Sequence, residues 1–221
     1  MLPFAQTVHY YDSDGLLDCQ TDYHIETCHR SGHNARRHNH FQNTTRKHAA
    51  RIGQPSELAE VVDEGGDGRP KLITDLLFPH IPGRKGTRAV VVDFSVCHHM
   101  AHSSGADDET PLGRAAEREE QKRKKYGEAC RRLNYDFMPV VMETTGALGQ
   151  SAKDFFNILS ANSTTLSEES SRSSERNRLK QLVTVALFHS MGEKYEATRA
   201  ARRAAYRPLS ECHWSTRVSS C

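Results

Sequence analysis

The sequence predicts an α/β domain, a small mixed sheet flanked by helices, and three observations carry that prediction. Arg88 to Val96 is β-branched and apolar along its whole length, as a strand buried on both faces must be. A long charged helix follows it, and Phe137 to Met142 then supplies another apolar, strand-sized run. Strands and helices in this order within one compact unit make an α/β sandwich with a small mixed sheet.

Taken in order, residues 1–33 are polar and aromatic-dotted and predict an irregular N-terminal segment. From about Asn34 to Ile52 neither Gly nor Pro interrupts, so a helix is expected, with a thin apolar stripe of Ala35, Phe41, Ala49 and Ile52; Gly53-Gln54-Pro55 ends it. Leu58 to Val62 is a weak strand, closed by the acidic turn Asp63-Glu64-Gly65-Gly66-Asp67-Gly68. Leu72 to Phe78 reads as a strand, Pro79 to Gly86 as a loop, and Arg88 to Val96 as the best strand of the chain. Beyond the polar loop His98 to Thr110, Pro111 suits the first turn of a helix running to about Leu133. Leu112, Ala115, Ala116, Tyr126, Ala129, Cys130 and Leu133 share its apolar face, yet Glu119 and Lys122 sit in the middle of that face. After the strand Phe137 to Met142, a turn at Gly146 to Gly149 leads into a short helix with Phe155, Phe156, Ile158 and Leu159. The expected organisation is therefore a core over 34–160, a Ser-rich linker over 161–175, and a C-terminal helix with a loose tail over 176–221.

The 221 residues carry 30 basic and 28 acidic side chains, a net charge of +2, so no global excess of charge marks a nucleic-acid partner. Locally the balance differs. Residues 29–51 hold Arg30, Arg36, Arg37, Arg46, Lys47 and Arg51 with no acid, a stripe able to neutralise phosphates. The same composition also suits a solvated helix face. Six cysteines lie at wide, irregular spacings, with no secretory signal pattern and no run of membrane-spanning length. An intracellular, reducing setting without disulfides is the expectation.

The chemistry-bearing residues sit on the strands and the helix. Asp75 belongs to Thr74-Asp75-Leu76-Leu77-Phe78 and Asp93 to Val90-Val91-Val92-Asp93-Phe94-Ser95-Val96. Burying Asp93 in such a run is costly without a cation beside it, a metal or a lysine. Two converging carboxylates are the minimum that holds a divalent ion such as Mg²⁺. Lys122 and Lys125, on the following helix, could offset negative charge on a phosphoryl group, or simply be surface lysines. Glu119 and Glu143 are further acids, the first explained equally by i,i+3 pairing with Lys122. His98, His99 and His102 follow Asp93 in a loop where histidines are commonly solvated.

These pieces together resemble the restriction-endonuclease-like domain near the C-terminus of non-LTR retrotransposon polyproteins, within the PD-(D/E)XK nuclease superfamily. Asp22-Tyr23-His24-Ile25-Glu26-Thr27-Cys28 is similar to half of the zinc knuckle preceding such domains, and Arg36-Arg37-His38-Asn39 to the signature opening their first helix. Thr74-Asp75, Val92-Asp93-Phe94-Ser95-Val96 and Lys122-Arg123-Lys124-Lys125-Tyr126 resemble the acid, the Asp-x-Thr/Ser-Val strand and the Lys-x-x-Lys-Tyr helix of the family. Phe137 to Gly146 resembles the strand and turn that follow. Thr74 replaces the usual proline, and Ser95 replaces the superfamily lysine, whose task then falls to Lys122 or Lys125. Only Cys19, His24 and Cys28 remain for zinc, one short of a closed site.

The resemblance implies a retroelement-derived, Mg²⁺-dependent endonuclease that nicks a DNA target, with Asp75 and Asp93 as metal ligands and catalytic residues alongside Lys122 and Lys125. It implies Arg36, Arg37, His38, Asn39, Arg46 and Lys47 on the nucleic-acid backbone, with DNA, or RNA, as partner and the nucleus as the expected location. No membrane and no small-molecule cofactor are expected. A chain without a polymerase corresponds to a piece of a longer element. Two other readings stand beside the nuclease: an inactive remnant that binds nucleic acid, and a zinc-binding scaffold.

Overall fold

The computed structural model describes residues 9–12, 15–18, 33–58, 60–66, 68, 70–81, 89–98 and 112–205. Two short strands come first, β1 (His9–Asp12) and β2 (Gly15–Asp18), paired antiparallel from His9↔Asp18 to Asp12↔Gly15. They lie within the segment expected to be irregular. Paired Tyr10-Tyr11 and Leu16-Leu17 are good strand formers either side of a two-residue connection, which is how a hairpin is specified.

Helix α1 (His33–Arg51) follows within one residue of its expected start. It buries Phe41, Thr45 and Ala49, with Ile52 just beyond. Gly53 stops it in the left-handed conformation (φ 78°), and Gln54 N donates back to Ala49 O at 2.8 Å, the long closing bond of a glycine-terminated helix.

The strands after α1 are shorter than expected. Leu58 to Val62 resolves into β3 (Glu57–Leu58) and β4 (Val61–Asp63), and Leu72 to Phe78 into β5 (Leu72–Ile73) and β6 (Leu76–Phe78). The second split falls at Thr74-Asp75. Thr74 N donates to Glu60 O at 2.8 Å, tying the chain to the β4–β5 ladder, whereas Asp75 N donates to Val92 O at 3.0 Å and so turns it into the main sheet. One continuous apolar run thus serves two sheets.

The main sheet is small and mixed, in the order β3-β6-β7-β8. Here β7 (Ala89–Cys97) is antiparallel to β6, with Leu76↔Val92, and parallel to β8 (Tyr135–Glu143), from Ala89↔Tyr135 to Cys97↔Glu143. The parallel pair is joined by α2 (Gly113–Arg132), which ends at Asn134 in the left-handed region (φ 59°), a conformation asparagine tolerates. Pro139 fits inside β8 because β8 is an edge strand. Helix α3 (Gln150–Ala161) comes next, and α4 (Glu169–Ala205) begins inside the stretch expected to be a linker to residue 175. No Gly or Pro breaks that stretch, and Glu175 anchors it against His48 and Arg51 of α1.

Alternation along β7 sorts the core into two layers. Val90, Val92 and Phe94 face α1, α3 and α4, packing with Phe41, Phe155, Phe156, Leu179 and Val183. Ala89 and Val91 face α2, with Tyr126, Ala129, Cys130, Tyr135 and Phe137. The domain is therefore an α/β sandwich of helices on both faces of one sheet. Among the described residues no helix is long and apolar enough to cross a membrane, and Cys97 and Cys130 are free thiols.

Candidate functional site

Asp93, Ser95 and Cys97 continue the row of β7 that faces α2, where apolar residues give way to polar ones. On α2 the stripe opposite them is Arg118, Lys122 and Tyr126. Four helical residues rise about 6 Å and two strand residues about 6.6 Å, so the two rows stay in step. Lys122 Nζ lies 2.5 Å from Asp93 Oδ2, and Arg118 Nε donates to Ser95 Oγ at 3.0 Å. The Lys122 contact is a close charge pair outside the angles of an aligned hydrogen bond, since Asp93 Oδ2 has no partner meeting them. Tyr126, next along the same stripe, lies close enough to feel the Asp93 charge.

Burial dominates the electrostatics of Asp93. It pushes the carboxyl above its ordinary 3.8; the Lys122 charge works against that, and the Asp75 charge adds to it. Tyr126 is pushed up by burial and by the Asp93 charge. Cys97, next in the row, is pushed up to about 12 by burial, then by the charge of Glu143, with Arg118 and Arg37 acting in the opposite direction. Glu143 is buried at the end of β8 in register with Cys97.

Asp75 occupies the break between β5 and β6. Its Oδ2 accepts from Phe94 N at 2.6 Å and from His38 Nε2 at 2.9 Å, while Gln42 Nε2 holds its carbonyl at 2.9 Å. Leaving the regular ladder is what frees this carboxylate to cap the strand amide next to Asp93. His38 is raised above 6.5, chiefly by the hydrogen bond to Asp75 against the opposing effect of burial, with the Asp93 charge contributing last. The two carboxylates are thus neighbours engaged from different sides of the sheet, Asp75 by α1 and Asp93 by α2.

No protein-family model matches this sequence, and no curated protein matches it.

The residues singled out in the sequence divide clearly. His38 meets Asp75 and Lys122 meets Asp93, at the middle of β7 just past the last residue that β6 pairs, with Asp75 linked to the Asp93 strand through Phe94 N. Lys125 does not reach the acids; it is exposed and its ammonium lies over the Tyr126 ring, 4.8 Å from the centroid. The basic stripe of α1 does not form one surface, because successive helical residues are about 100° apart. Arg36, Asn39 and Lys47 are exposed, Arg46 is half-buried, and Arg37 is buried towards the site. Cys19, His24 and Cys28, the partial zinc set, lie outside the described residues, as do His99 and His102. His98 is buried rather than solvated.

Glu119 has a structural task. Its Oε1 accepts from Ser151 N at 2.9 Å and so caps α3, whose own Gly149 N-cap offers no side chain; its Oε2 pairs with Arg123 at 3.2 Å rather than with Lys122. The partners missed in the sequence are Arg118, Tyr126 and the His38–Asp75 bond. The first two were detectable, since Arg118, Lys122 and Tyr126 repeat every four residues. The third spans 37 residues and two elements and had no local signal.

As a test for a divalent ion, the donor set is all oxygen, the kind a hard cation such as Mg²⁺ takes. Asp75 Oδ1 makes no hydrogen bond among the described residues, and Asp93 is a buried carboxylate whose charge Lys122 compensates only in part. The chemistry of these donors suits such an ion, while their engagement from different sides of the sheet does not by itself bring both to one point.

Proposed function

We propose that this chain is a metal-dependent endonuclease domain of restriction-endonuclease-like architecture, derived from a non-LTR retroelement, that hydrolyses a phosphodiester in DNA. The observation that carries the reading is the Lys122 ammonium 2.5 Å from Asp93, with the Asp75 carboxylate bonded to the very next amide, Phe94 N. Asp75 and Asp93 would hold Mg²⁺, which when bound polarises a phosphoryl oxygen and acidifies a coordinated water. Lys122 offsets negative charge as it develops on the phosphoryl group, from a partly buried position where that charge counts for more than in water. Arg118 fixes Ser95 and adds a second cation one turn away. His38 orients Asp75 through Nε2, and Arg37 adds positive charge from α1.

One observation favours the second reading, an inactive remnant that binds nucleic acid: both carboxylates already have a basic protein partner, His38 on Asp75 and Lys122 on Asp93. In that case the pairs are structural. Purified protein incubated with supercoiled plasmid and Mg²⁺ separates the two. Nicking that disappears in Asp93→Ala and with a chelator supports the enzyme. Plasmid retention without nicking, equal in the variant, supports the binder, and neither effect at low salt removes both.

A further inference from the structure

A second cluster lies away from the aspartates, on the seam between α1 and α4. His40 projects from α1, and His189 and Glu193 from α4, four residues apart and hence on one face. One ligand atom from each can be chosen such that all lie within 4.8 Å of one another. The His40 and His189 rings are 5.9 Å apart and inclined at 36°, and His189 Nδ1 stands 3.7 Å from Glu193 Oε1, beyond hydrogen-bonding distance. The three groups thus converge on a shared space without consuming one another's donors and acceptors. A tetrahedral ion bound at about 2.0–2.1 Å wants its ligand atoms roughly 3.3 Å apart, within reach of small side-chain rotations from the observed spacing.

We propose that His40, His189 and Glu193 form a binding site for a divalent transition-metal ion of the zinc class, with water in the remaining position. Two imidazoles and one carboxylate are a zinc-type ligand set, and imidazole excludes Mg²⁺ and Ca²⁺ as the preferred occupant. The alternative, three surface side chains meeting by chance at a helix contact, leaves the convergence of two histidines from different helices without consequence. The ion has a definite role. The α1–α4 seam is already tied at one end by Glu175, which pairs with Arg51 and His48. Metal at His40 ties the other end, two residues from His38, whose imidazole holds Asp75. The proposal is independent of the nuclease reading.

The test uses the full chain, stripped with chelator, dialysed, and titrated with ZnCl₂, and with CoCl₂ for spectroscopy. His40→Ala, His189→Ala and Glu193→Gln are compared with a Cys19→Ser/Cys28→Ser variant, because those cysteines are rival ligands. His189 and Glu193 are exposed, with 65% and 40% side-chain accessibility, so their substitution leaves the fold intact. Circular dichroism checks this. Expected are one zinc equivalent retained in the cysteine variant, a cobalt spectrum of that variant without thiolate charge transfer, and affinity reduced about tenfold or more in each ligand variant. Zinc should also raise the melting temperature of the cysteine variant but not of His189→Ala. Zinc binding that vanishes in the cysteine variant, that is unchanged in His189→Ala, or that is absent altogether overturns the proposal.

Discussion

Replacing Lys122 with methionine tests the heart of the site. The side chains of Lys122 and Asp93 are 14% and 6% exposed, so the substitution leaves a buried carboxylate without its counter-charge. Breaking a buried pair on one side costs about 3–5 kcal/mol. The penalty has a ceiling, since an orphaned carboxyl can take up a proton. From an ordinary value of 3.8, that uptake costs about 4 kcal/mol near pH 7 and about 1.6 kcal/mol near pH 5. Urea unfolding should therefore show a deficit of about 3 kcal/mol near pH 7, or roughly 6–12 °C in melting temperature for a domain of this size. The deficit should shrink by about half near pH 5. Adding Asp93→Asn to Lys122→Met removes the orphaned charge and should recover most of the loss, which makes the double-mutant cycle strongly coupled. A deficit below about 1 kcal/mol near pH 7, or one that does not change with pH, would refute the reasoning that Asp93 is a buried, lysine-neutralised charge.

Three further outcomes follow from the same geometry. The folded value of His38 is raised above 6.5, so the His38–Asp75 contact contributes fully below that value and is lost as pH rises through the raised one; at 34% and 17% exposure it is worth at most about 1 kcal/mol. His38→Gln should flatten that part of the stability–pH curve, measured by urea midpoints. Gly149→Ala would set a Cβ against Glu119 Oε1, displacing the cap of Ser151 N, and should destabilise by about 1–2 kcal/mol although its φ of −60° accepts alanine; an unchanged melting temperature would contradict this. Mg²⁺ should raise the melting temperature of the wild type and not of Asp93→Asn, because a cation that binds only the folded state stabilises it by mass action.

The helices and the two long strands were legible because their signals are local. The run Arg88 to Val96 is β-branched and apolar enough to read as a buried strand, and the α2 face is visibly interrupted by polar residues at Glu119 and Lys122. What escaped depends on distant partners. The apolar run from Leu72 to Phe78 gives no hint that Thr74 will bond Glu60 and Asp75 the strand of Asp93. Glu119 looked like an i,i+3 partner of Lys122 because pattern counts only its own helix, whereas the uncapped start of α3, reached through the fold, takes it. In α1 the cations are adjacent along the chain, but helical rotation scatters them, burying Arg37 and leaving Arg36 outside.

The break at Thr74-Asp75 is what links these features into one site. Had the strand continued, Asp75 would have stayed in the ladder, and its carboxylate would not have closed on Phe94 N. Departing from the ladder costs backbone pairing, which Thr74–Glu60 and Asp75–Val92 bonds restore on either side. The carboxylate then does for the strand what a capping residue does for a helix, accepting an otherwise unpaired N–H beside a buried acid. The result is negative charge concentrated at one rim of the sheet, raising Asp93 and His38 together. A sheet gains no stability from clustering acids in this way, and His38 of α1 and Lys122 of α2 each engage one of the two carboxylates.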